Sequence, residues 1–349
     1  MGMESVLPFM GMVIVQVAMV GQLVTGQEAM LDGMTNFTFI FYFNALSFLI
    51  LAFSLFFFRN SSNLPALTYA VVWRCLLFGF FGFMTQITGY TGIQYASPTL
   101  ATSMLNLIPG FTFIFAIIFR LEKAEVRSSG ARAKIIGTLV SVVGAFIVTL
   151  YQGPRILKGT SSANSTQNLT QSQDWVIGGL LLALTSVFAS LFITTQALIL
   201  QKHISKLVVS LFYSSTIAIL SAVLSLILER DLSPWSLSSN VRIMAVVYSG
   251  LFGASFQVTV SSWCMQRTGP LFVVMFHPLG IIISSIIGIT FMGDAFYLGS
   301  LVGSIVIIVG VYTVIWGISK ERKFTQANSI SSPLLQDNPN IEDTTLPGP

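Results

Sequence analysis

The chain has few charged residues. Of its 349 residues, only 9% are Asp, Glu, Lys or Arg, whereas 54% are hydrophobic. A soluble globular domain carries about 25% charged residues. Acidic residues are absent from the whole stretch between Gly33 and Leu121. This composition excludes an ordinary soluble protein and indicates an integral membrane protein with several spanning segments.

Residues that build catalytic and metal sites are also scarce. Cys75 and Cys264 are the two cysteines, and both fall inside apolar segments without the short spacing that metal ligands need. The sequence has no GxxxxGK[ST] phosphate loop, no HExxH and no GxSxG motif. We therefore expect no enzyme activity, no metal ion and no cofactor. The net charge of +4 comes from basic residues scattered between apolar segments, so we expect no nucleic-acid partner.

Ten apolar segments are long enough to cross a bilayer, which takes about 20 helical residues. They lie at 7–27, 37–58, 70–90, 97–119, 134–151, 175–199, 206–228, 242–262, 271–293 and 295–318. With the N-terminus in the cytosol, 13 Lys and Arg residues fall on the cytosolic side and four on the other, as the positive-inside rule requires. The sequence thus predicts an all-α integral membrane protein with ten transmembrane helices and both termini cytosolic.

The two longest polar stretches lie outside these segments. The loop 152–174 is predicted on the extracytosolic side, and it carries N-glycosylation sequons at Asn164 and Asn168. The tail 319–349 is polar and contains prolines, so we expect it to be a disordered cytosolic segment.

The two halves of the chain share a pattern. When Pro98 is aligned with Pro270, helices four and nine match without a gap. The matched pairs are Gln94 with Gln266, Leu105 with His277, Asn106 with Pro278 and Glu122 with Asp294. After a shorter connection in the second half, Gly137 and Gly144 of helix five match Gly303 and Gly310 of helix ten. Because each half has five helices, the second half must enter the membrane from the opposite side. The sequence predicts an inverted repeat of 7–151 and 175–318, with a solute site between the halves. The alternative is that small residues and prolines recur in any helical membrane protein.

Polar side chains inside the predicted helices are the candidate solute ligands. Gln86 and Tyr90 lie one turn apart on helix three, and Gln257 belongs to a polar stripe on helix eight. Gln16 and Gln196 are candidates of the same kind on helices one and six. The alternative function for each is a hydrogen bond between helices, which in a membrane contributes about 0.6 kcal/mol.

Two interrupted helices stand at corresponding places in the halves. Asn106 precedes Pro109, and His277 precedes Pro278, while Pro98 and Pro270 lie at the starts of the two helices. A proline removes a backbone donor and frees a carbonyl one turn earlier. In transporters, paired interruptions of this kind indicate the substrate site. A tolerated kink is the alternative.

His277 is the only His, Lys or Arg within its predicted helix. Its ring could donate a hydrogen bond to a solute carboxylate, or attract one when protonated. The alternative is a neutral ring bonded to a backbone carbonyl. Carboxylates that could relay protons are absent from the membrane interior, which favours a facilitator over a proton-driven pump.

The segments YASPTLATSMLNLIPGFTFIFAIIFRLE and MFHPLGIIISSIIGITFMGD resemble the plant nodulin-21-like transporters with paired EamA domains. These are also called walls-are-thin-related or UMAMIT proteins and belong to the drug/metabolite transporter superfamily. The resemblance covers about residues 7–320. It implies two EamA repeats around a central cavity and bidirectional transport of amino acids, or else of auxin or another metabolite.

The resemblance also implies a location and a set of ligands. It favours the plasma membrane, with the vacuolar membrane as the alternative. Family cavities are lined from helices one, three, four, six, eight and nine. On this chain those helices offer Gln16, Gln86, Tyr90, Asn106, Gln196, Gln257 and His277. The expected partners are a small-molecule substrate and the lipid bilayer, and the remaining alternatives are a channel, a lipid scramblase or a membrane protein that transports nothing.

Overall fold

The computed structural model describes most of the chain. The described residues are 3–58, 69–95, 104–105, 107–121, 129–151, 154–157, 172–201, 204–229, 233–287 and 296–331. Six residues singled out from the sequence lie outside these ranges, namely Pro98, Asn106, Glu122, Asn164, Asn168 and Asp294.

Helices make up nearly all of the described structure. In the first half they are α1 (Met3–Leu31), α2 (Asn36–Phe58), α3 (Tyr69–Tyr95), α4 (Ile108–Ile118) and α5 (Ser129–Leu150). In the second half they are α6 (Ser172–Leu200), α7 (Lys206–Leu228), α8 (Asn240–Tyr248), α9 (Gln257–Thr268), α10 (Pro270–Val274), α11 (His277–Ile287) and α12 (Leu298–Ser331). A π-helical stretch, Ser249–Phe256, joins α8 to α9 and is called the π segment below. Two short strands, β1 (Arg155–Leu157) and β2 (Phe296–Tyr297), pair antiparallel.

Seven helical stretches among the described residues are long and apolar enough to cross a membrane. They are Val6–Leu31, Asn36–Phe57, Tyr69–Gly92, Ile177–Leu200, Lys206–Leu228, Asn240–Thr268 and Leu301–Lys320. Two shorter apolar helices are Ile108–Ile118 and Pro270–Gly280. A stretch of 20 residues spans about 30 Å, the thickness of the hydrocarbon core. The chain is therefore a multi-pass, helical integral membrane protein.

Several boundaries differ from the sequence interpretation. The predicted helix 295–318 is preceded by β2 at its first residues, and the predicted helix 242–262 continues to Thr268, the end of α9. The predicted helix 271–293 is divided, because α10 ends at Val274 and α11 begins at His277. The last helix, α12, continues to Ser331, so the first 13 residues of the predicted tail, 319–331, are helical. Residues 332–349 lie outside the described part of the chain.

Three of the described prolines stand at the starts of α-helices, whereas Pro8 lies inside α1. Pro109 is the second residue of α4, Pro270 is the first of α10 and Pro278 is the second of α11. In the first turn of a helix, the missing N–H costs no hydrogen bond and the fixed φ suits the helix. Between α10 and α11 the chain turns tightly, with a bond from the Phe276 N–H to the Val273 carbonyl of 3.3 Å.

Helices α5 and α12 approach each other so closely that their backbones touch. A Cβ on Gly137 would lie 2.7 Å from the Gly310 carbonyl oxygen, and one on Gly144 would lie 3.0 Å from the Gly303 carbonyl oxygen. Small residues permit this approach, which in a membrane replaces the hydrophobic effect as the source of helix association.

The other helices each pack against two or more neighbours. Helix α3 packs on α6 and α7, α2 packs on α7 and the π segment, and α4 packs on α6 and α10. Helix α1 packs on α8, the π segment, α9 and α11. Polar contacts also connect helix ends. For example, Asp32 pairs with Arg242 at 3.0 Å, and Glu229 accepts a hydrogen bond of 2.6 Å from Thr38.

The glycine contact yields a test of the α5–α12 packing. In Gly310→Ala the new Cβ would lie 2.5 Å from the Ser141 backbone nitrogen, and backbone cannot move aside as a side chain can. We expect this overpacking to cost about 1–3 kcal/mol and to lower the melting temperature of the detergent-solubilised protein. Gly110→Ala is the control, because a Cβ there meets no heavy atom within 4 Å. Equal melting temperatures for the two variants would contradict the close approach.

Candidate functional site

Gln16 is a buried polar side chain whose oxygen has no partner. It is 1% exposed, and its Oε1 accepts no hydrogen bond from any described residue. A Cβ on Gly280 would lie 3.0 Å from this oxygen, so the amide of α1 lies against α11 at a position where α11 has no side chain. An amide oxygen buried in this way is costly unless a ligand or water completes its bonding.

Gln257 lies at the same depth as Gln16. Along the contact between α1 and the α8–α9 helix, Gln22 packs on Gly253, and Gly11 packs on Val260. Gln16 lies between the two contact residues of α1, and Gln257 lies between those of its partner. Both side chains therefore lie near the middle of their membrane spans, Val6–Leu31 and Asn240–Thr268.

His277 is close to this level on a third helix. Phe9 of α1 and Phe276 pack edge to face with ring centroids 5.3 Å apart, and Gly280 faces Gln16 one turn further along α11. The His277 side chain is half-buried, as is that of Gln257. Neither side chain makes a hydrogen bond to the part of the chain that the structure describes. We call Gln16, Gln257 and His277 the central polar group.

Gln86 is in a different situation. Its Oε1 accepts a hydrogen bond of 3.2 Å from Asn44 Nδ2, and its Nε2 donates one of 2.9 Å to the Tyr213 hydroxyl. Asn44 also donates to the Ile40 carbonyl at 2.9 Å. Both ends of the Gln86 amide are thus used, and the residue joins helices α2, α3 and α7.

Tyr213 is a residue that the sequence interpretation missed. Its ring packs against Phe78 and Phe192, with centroids 5.2 Å and 5.4 Å away. A signal was present, because it is the only tyrosine of α7 and lies inside an otherwise apolar and serine-bearing helix. What the sequence does not contain is the partner, since Gln86 lies 127 positions earlier.

Gln196 is also occupied. Its Nε2 donates to Ser262 Oγ at 2.8 Å, and both residues are buried. The contact joins the last turns of α6 to the middle of α9. Gln196 is therefore placed as a contact between helices, away from the central polar group.

Tyr90 lies where α1, α2 and α3 meet. Its ring packs edge to face on Phe39 at 6.1 Å, and its hydroxyl would lie 3.8 Å from a Cβ on Gly26. The hydroxyl has no hydrogen bond to a described residue. Tyr90 thus lies one turn beyond Gln86 on α3, close to the ends of α1 and α3 and the start of α2.

Backbone groups beside α4 are satisfied by serines of α6. Ser186 Oγ donates to the Met104 carbonyl at 2.6 Å, and Ser190 Oγ donates to the Ile108 carbonyl at 3.1 Å.

Within the described residues, no group of three His, Cys, Asp or Glu side chains could hold a metal ion. The central polar group itself consists of two amides and one imidazole, which can form hydrogen bonds near the middle of the membrane spans.

The bond between Gln86 and Tyr213 can be measured by a double-mutant cycle. Because Tyr213 is buried and Gln86 is half-buried in the bundle, we expect Gln86→Leu and Tyr213→Phe to be coupled by about 0.6–1.5 kcal/mol in the free energy of unfolding. Equilibrium unfolding in detergent of both single variants and the double variant gives this coupling. Tyr248→Phe serves as the control, because its hydroxyl packs over Gly21 without a hydrogen bond to a described residue. If Gln86 couples to Tyr248 as strongly as to Tyr213, the assigned bond is wrong.

Comparison with known proteins gives a consistent set of relatives. No family model matches the chain. The chain is 38% identical over 319 residues to the Arabidopsis thaliana WAT1-related protein At3g28050, covering 91% of this chain and 87% of the relative. It is 37% identical over 352 residues to the Arabidopsis thaliana WAT1-related protein At5g40240, covering 99% and 95%. A solved crystal structure of a protein shares the fold with a TM-score of 0.64 at 14% identity, over 89% of this chain and 95% of that one.

Proposed function

Because the chain belongs to the WAT1-related family of plant proteins, and is built as a multi-pass helical membrane protein, we propose that it transports small organic solutes across a membrane. The observation that carries the proposal is the central polar group. Three side chains with hydrogen-bonding capacity and no partner among the described residues lie at one level of a hydrocarbon-embedded bundle. In a membrane, such groups mark solute pathways more often than helix contacts.

We further propose that the bundle has ten transmembrane helices arranged as two inverted repeats. In this arrangement the three remaining spans are α4, α5 and the α10–α11 pair. Helices one to five then correspond to six to ten, with α8, the π segment and α9 together forming helix eight. The contacts support this correspondence, because the packing of α3 on α6 and α7 is matched by that of helix eight on α1 and α2. The packing of α4 on α6 is likewise matched by that of α11 on α1.

The glycines of α5 and α12 support the same two-fold relation. Gly137 corresponds to Gly303 and Gly144 to Gly310 in the aligned halves. The observed contacts join Gly137 to Gly310 and Gly144 to Gly303. Exchanging the halves converts each of these contacts into the other, which is what an axis between α5 and α12 requires.

Amino acids are the proposed solutes, moved in both directions by alternating access between the repeats. A primary amide donates through Nε2 to a carboxylate and accepts through Oε1 from an ammonium group, so Gln16 and Gln257 could serve both ends of a zwitterion. The same neutral groups could bind auxin or another metabolite. We propose a facilitator, because no acidic side chain lies at this depth on the described parts of α1, α9 or α11. The plasma membrane is the proposed location, with the vacuolar membrane as the alternative.

Transport by the purified protein tests the proposal. In proteoliposomes, we expect uptake of at least one radiolabelled amino acid to saturate, to be accelerated by the same amino acid on the opposite side, and to proceed without a pH gradient. Auxin is included in the panel to test the alternative solute. Flux that never saturates would overturn the carrier in favour of a channel, and movement of labelled lipid would indicate a scramblase.

His277 has a separate test. The helices packed on α11 are α1, α5 and α12, and the acidic residues in their described parts are Glu4 and Glu28, near the two ends of α1, and Glu321, beyond the span of α12. With no carboxylate at its depth to stabilise a charge, we expect the ring to act as a neutral hydrogen-bonding group. His277→Gln should then keep the pH profile of transport of the unmodified protein between about pH 5 and 8, where histidine ordinarily titrates.

His277→Leu is the matched variant for this test, since it removes hydrogen bonding at similar size. We expect it to lower the transport rate at every pH. A profile that changes in His277→Gln would show that protonation of His277 takes part in transport.

A further inference from the structure

Gln86 and Gln257 occupy equivalent places in a motif that occurs once in each half. The first copy is Gly79-x-x-Gly82-x-x-x-Gln86, and the second is Gly250-x-x-Gly253-x-x-x-Gln257. Each residue of the second copy lies 171 positions after its counterpart, since 250 − 79 and 257 − 86 both equal 171. The two glutamines therefore occupy the same position in the two copies of the motif, and their surroundings can be compared directly.

The glycines of both copies allow a neighbouring helix to approach closely. A Cβ on Gly79 or Gly82 would lie 2.5 Å from an atom of Thr216 or Tyr213 respectively. In the second copy, a Cβ on Gly250 would lie 2.9 Å from Leu46, and one on Gly253 would lie 2.5 Å from Gln22. In each half, the motif thus provides a smooth helix surface on which a neighbouring helix packs, just before the glutamine.

The glutamines themselves differ. Both amide groups of Gln86 are bonded, to Asn44 and to Tyr213. Gln257 is half-buried and makes no hydrogen bond to a described residue. Gln257, which is half-buried like Gln86, keeps both ends of its amide available and can bind a partner that the protein itself does not provide.

The backbone differs at the same place. Helix α3 is α-helical throughout its motif, whereas the π segment, Ser249–Phe256, ends directly before Gln257. A π-helical turn widens a helix locally and occurs frequently at functional sites.

Two hydrogen bonds hold the π segment. Ser255 Oγ donates to the Gly250 carbonyl, five residues earlier, at 2.8 Å. The same hydroxyl lies 2.7 Å from Ser47 Oγ of α2, which in turn lies 2.9 Å from Ser214 Oγ of α7. The π segment is thus hydrogen-bonded directly to α2 and, through Ser47, to α7. Because it immediately precedes Gln257, it determines the direction of the Gln257 side chain.

We propose that Gln257 binds the transported solute, that the π segment and Ser255 position it, and that Gln86 is a structural residue. This inference rests on the proposed transport function and assigns the solute contact to one half of the repeat. The solute that fits is a small molecule carrying a hydrogen-bond acceptor and a donor close together, such as a carboxylate beside an ammonium group, because an amide can bond both.

Cysteine accessibility tests the assignment without any knowledge of the solute. In a background of Cys75→Ala and Cys264→Ala, which removes the two buried thiols, single cysteines are placed at positions 257 and 86. The probe is a small, charged methanethiosulfonate reagent applied to protein in proteoliposomes. Because only a thiol that reaches water ionises and reacts, we expect Gln257→Cys to react at least about tenfold faster than Gln86→Cys.

Two reference positions calibrate the rates. Ser238→Cys, in the exposed turn before α8, sets the fast limit, and Ser214→Cys, fully buried between α2 and α7, sets the slow limit. Equal rates at positions 257 and 86, or a faster rate at 86, would overturn the assignment. These rates do not depend on transport, so a failure here is distinct from a failure of the transport assay.

The positioning by Ser255 has its own measurement. Adding Ser255→Ala to Gln257→Cys should slow the reaction of the cysteine at position 257 severalfold, because the π segment loses the hydrogen bonds of the Ser255 hydroxyl. Ser221→Ala is the matched control, since that buried serine bonds only to carbonyls of its own helix, at 2.6 Å and 3.2 Å. An unchanged rate with Ser255→Ala would overturn the role of Ser255.

Transport kinetics provide the second readout. For the amino acid with the lowest half-saturation constant, Gln257→Ala should raise KM by about tenfold, the effect of losing about 1.4 kcal/mol of binding, while Gln257→Asn should recover part of the loss. Gln86→Ala should lower the amount of folded protein and leave KM unchanged. A raised KM in Gln86→Ala with an unchanged KM in Gln257→Ala would reverse the assignment.

Discussion

Inside a bilayer, a polar group must find its hydrogen-bond partner within the protein, because hydrocarbon offers none. Most of the described buried polar groups satisfy this condition through their own helix or a neighbour. Serines and threonines bond to carbonyls of the preceding turn, as Ser221 and Thr194 do, and Gln196 bonds to Ser262. Against this background the few unsatisfied groups stand out, and they include the amide oxygen of Gln16.

The need for a hydrogen-bond partner also distinguishes polar side chains that hold helices together from those that are available to bind a solute. A glutamine that joins three helices, as Gln86 does, holds the bundle together, and both ends of its amide already have a partner. A glutamine without a partner destabilises the bundle slightly and keeps its capacity for a ligand. In this protein the two situations occur at equivalent positions of the two halves, so the difference reflects local surroundings and not the residue type.

Much of the fold could be predicted from the sequence, since long apolar runs leave a helix as the only way to satisfy the backbone. The predicted segments 70–90 and 206–228 agree with α3 and α7 to within a few residues. The function of individual side chains could not be predicted as well. The sequence marks Gln86 and Gln196 as polar residues in apolar helices, but their partners, Tyr213 and Ser262, lie on helices distant in sequence. The π segment was also missed, because its composition is that of an ordinary membrane helix.

Among the described residues, a π segment occurs in only one half of the chain, which has a thermodynamic consequence if the protein is the proposed facilitator, a carrier without an energy source. Two identical halves would present the same site to each side of the membrane, and the half-saturation constants on the two sides would be equal. A widened turn in one half removes this equality, because the site is then held differently in its two orientations. Since no energy source drives the cycle, Vmax/KM must still be the same in both directions. Any gain in affinity on one side is therefore matched by a lower maximal rate from that side, which lets the protein suit a compartment rich in solute and one poor in it.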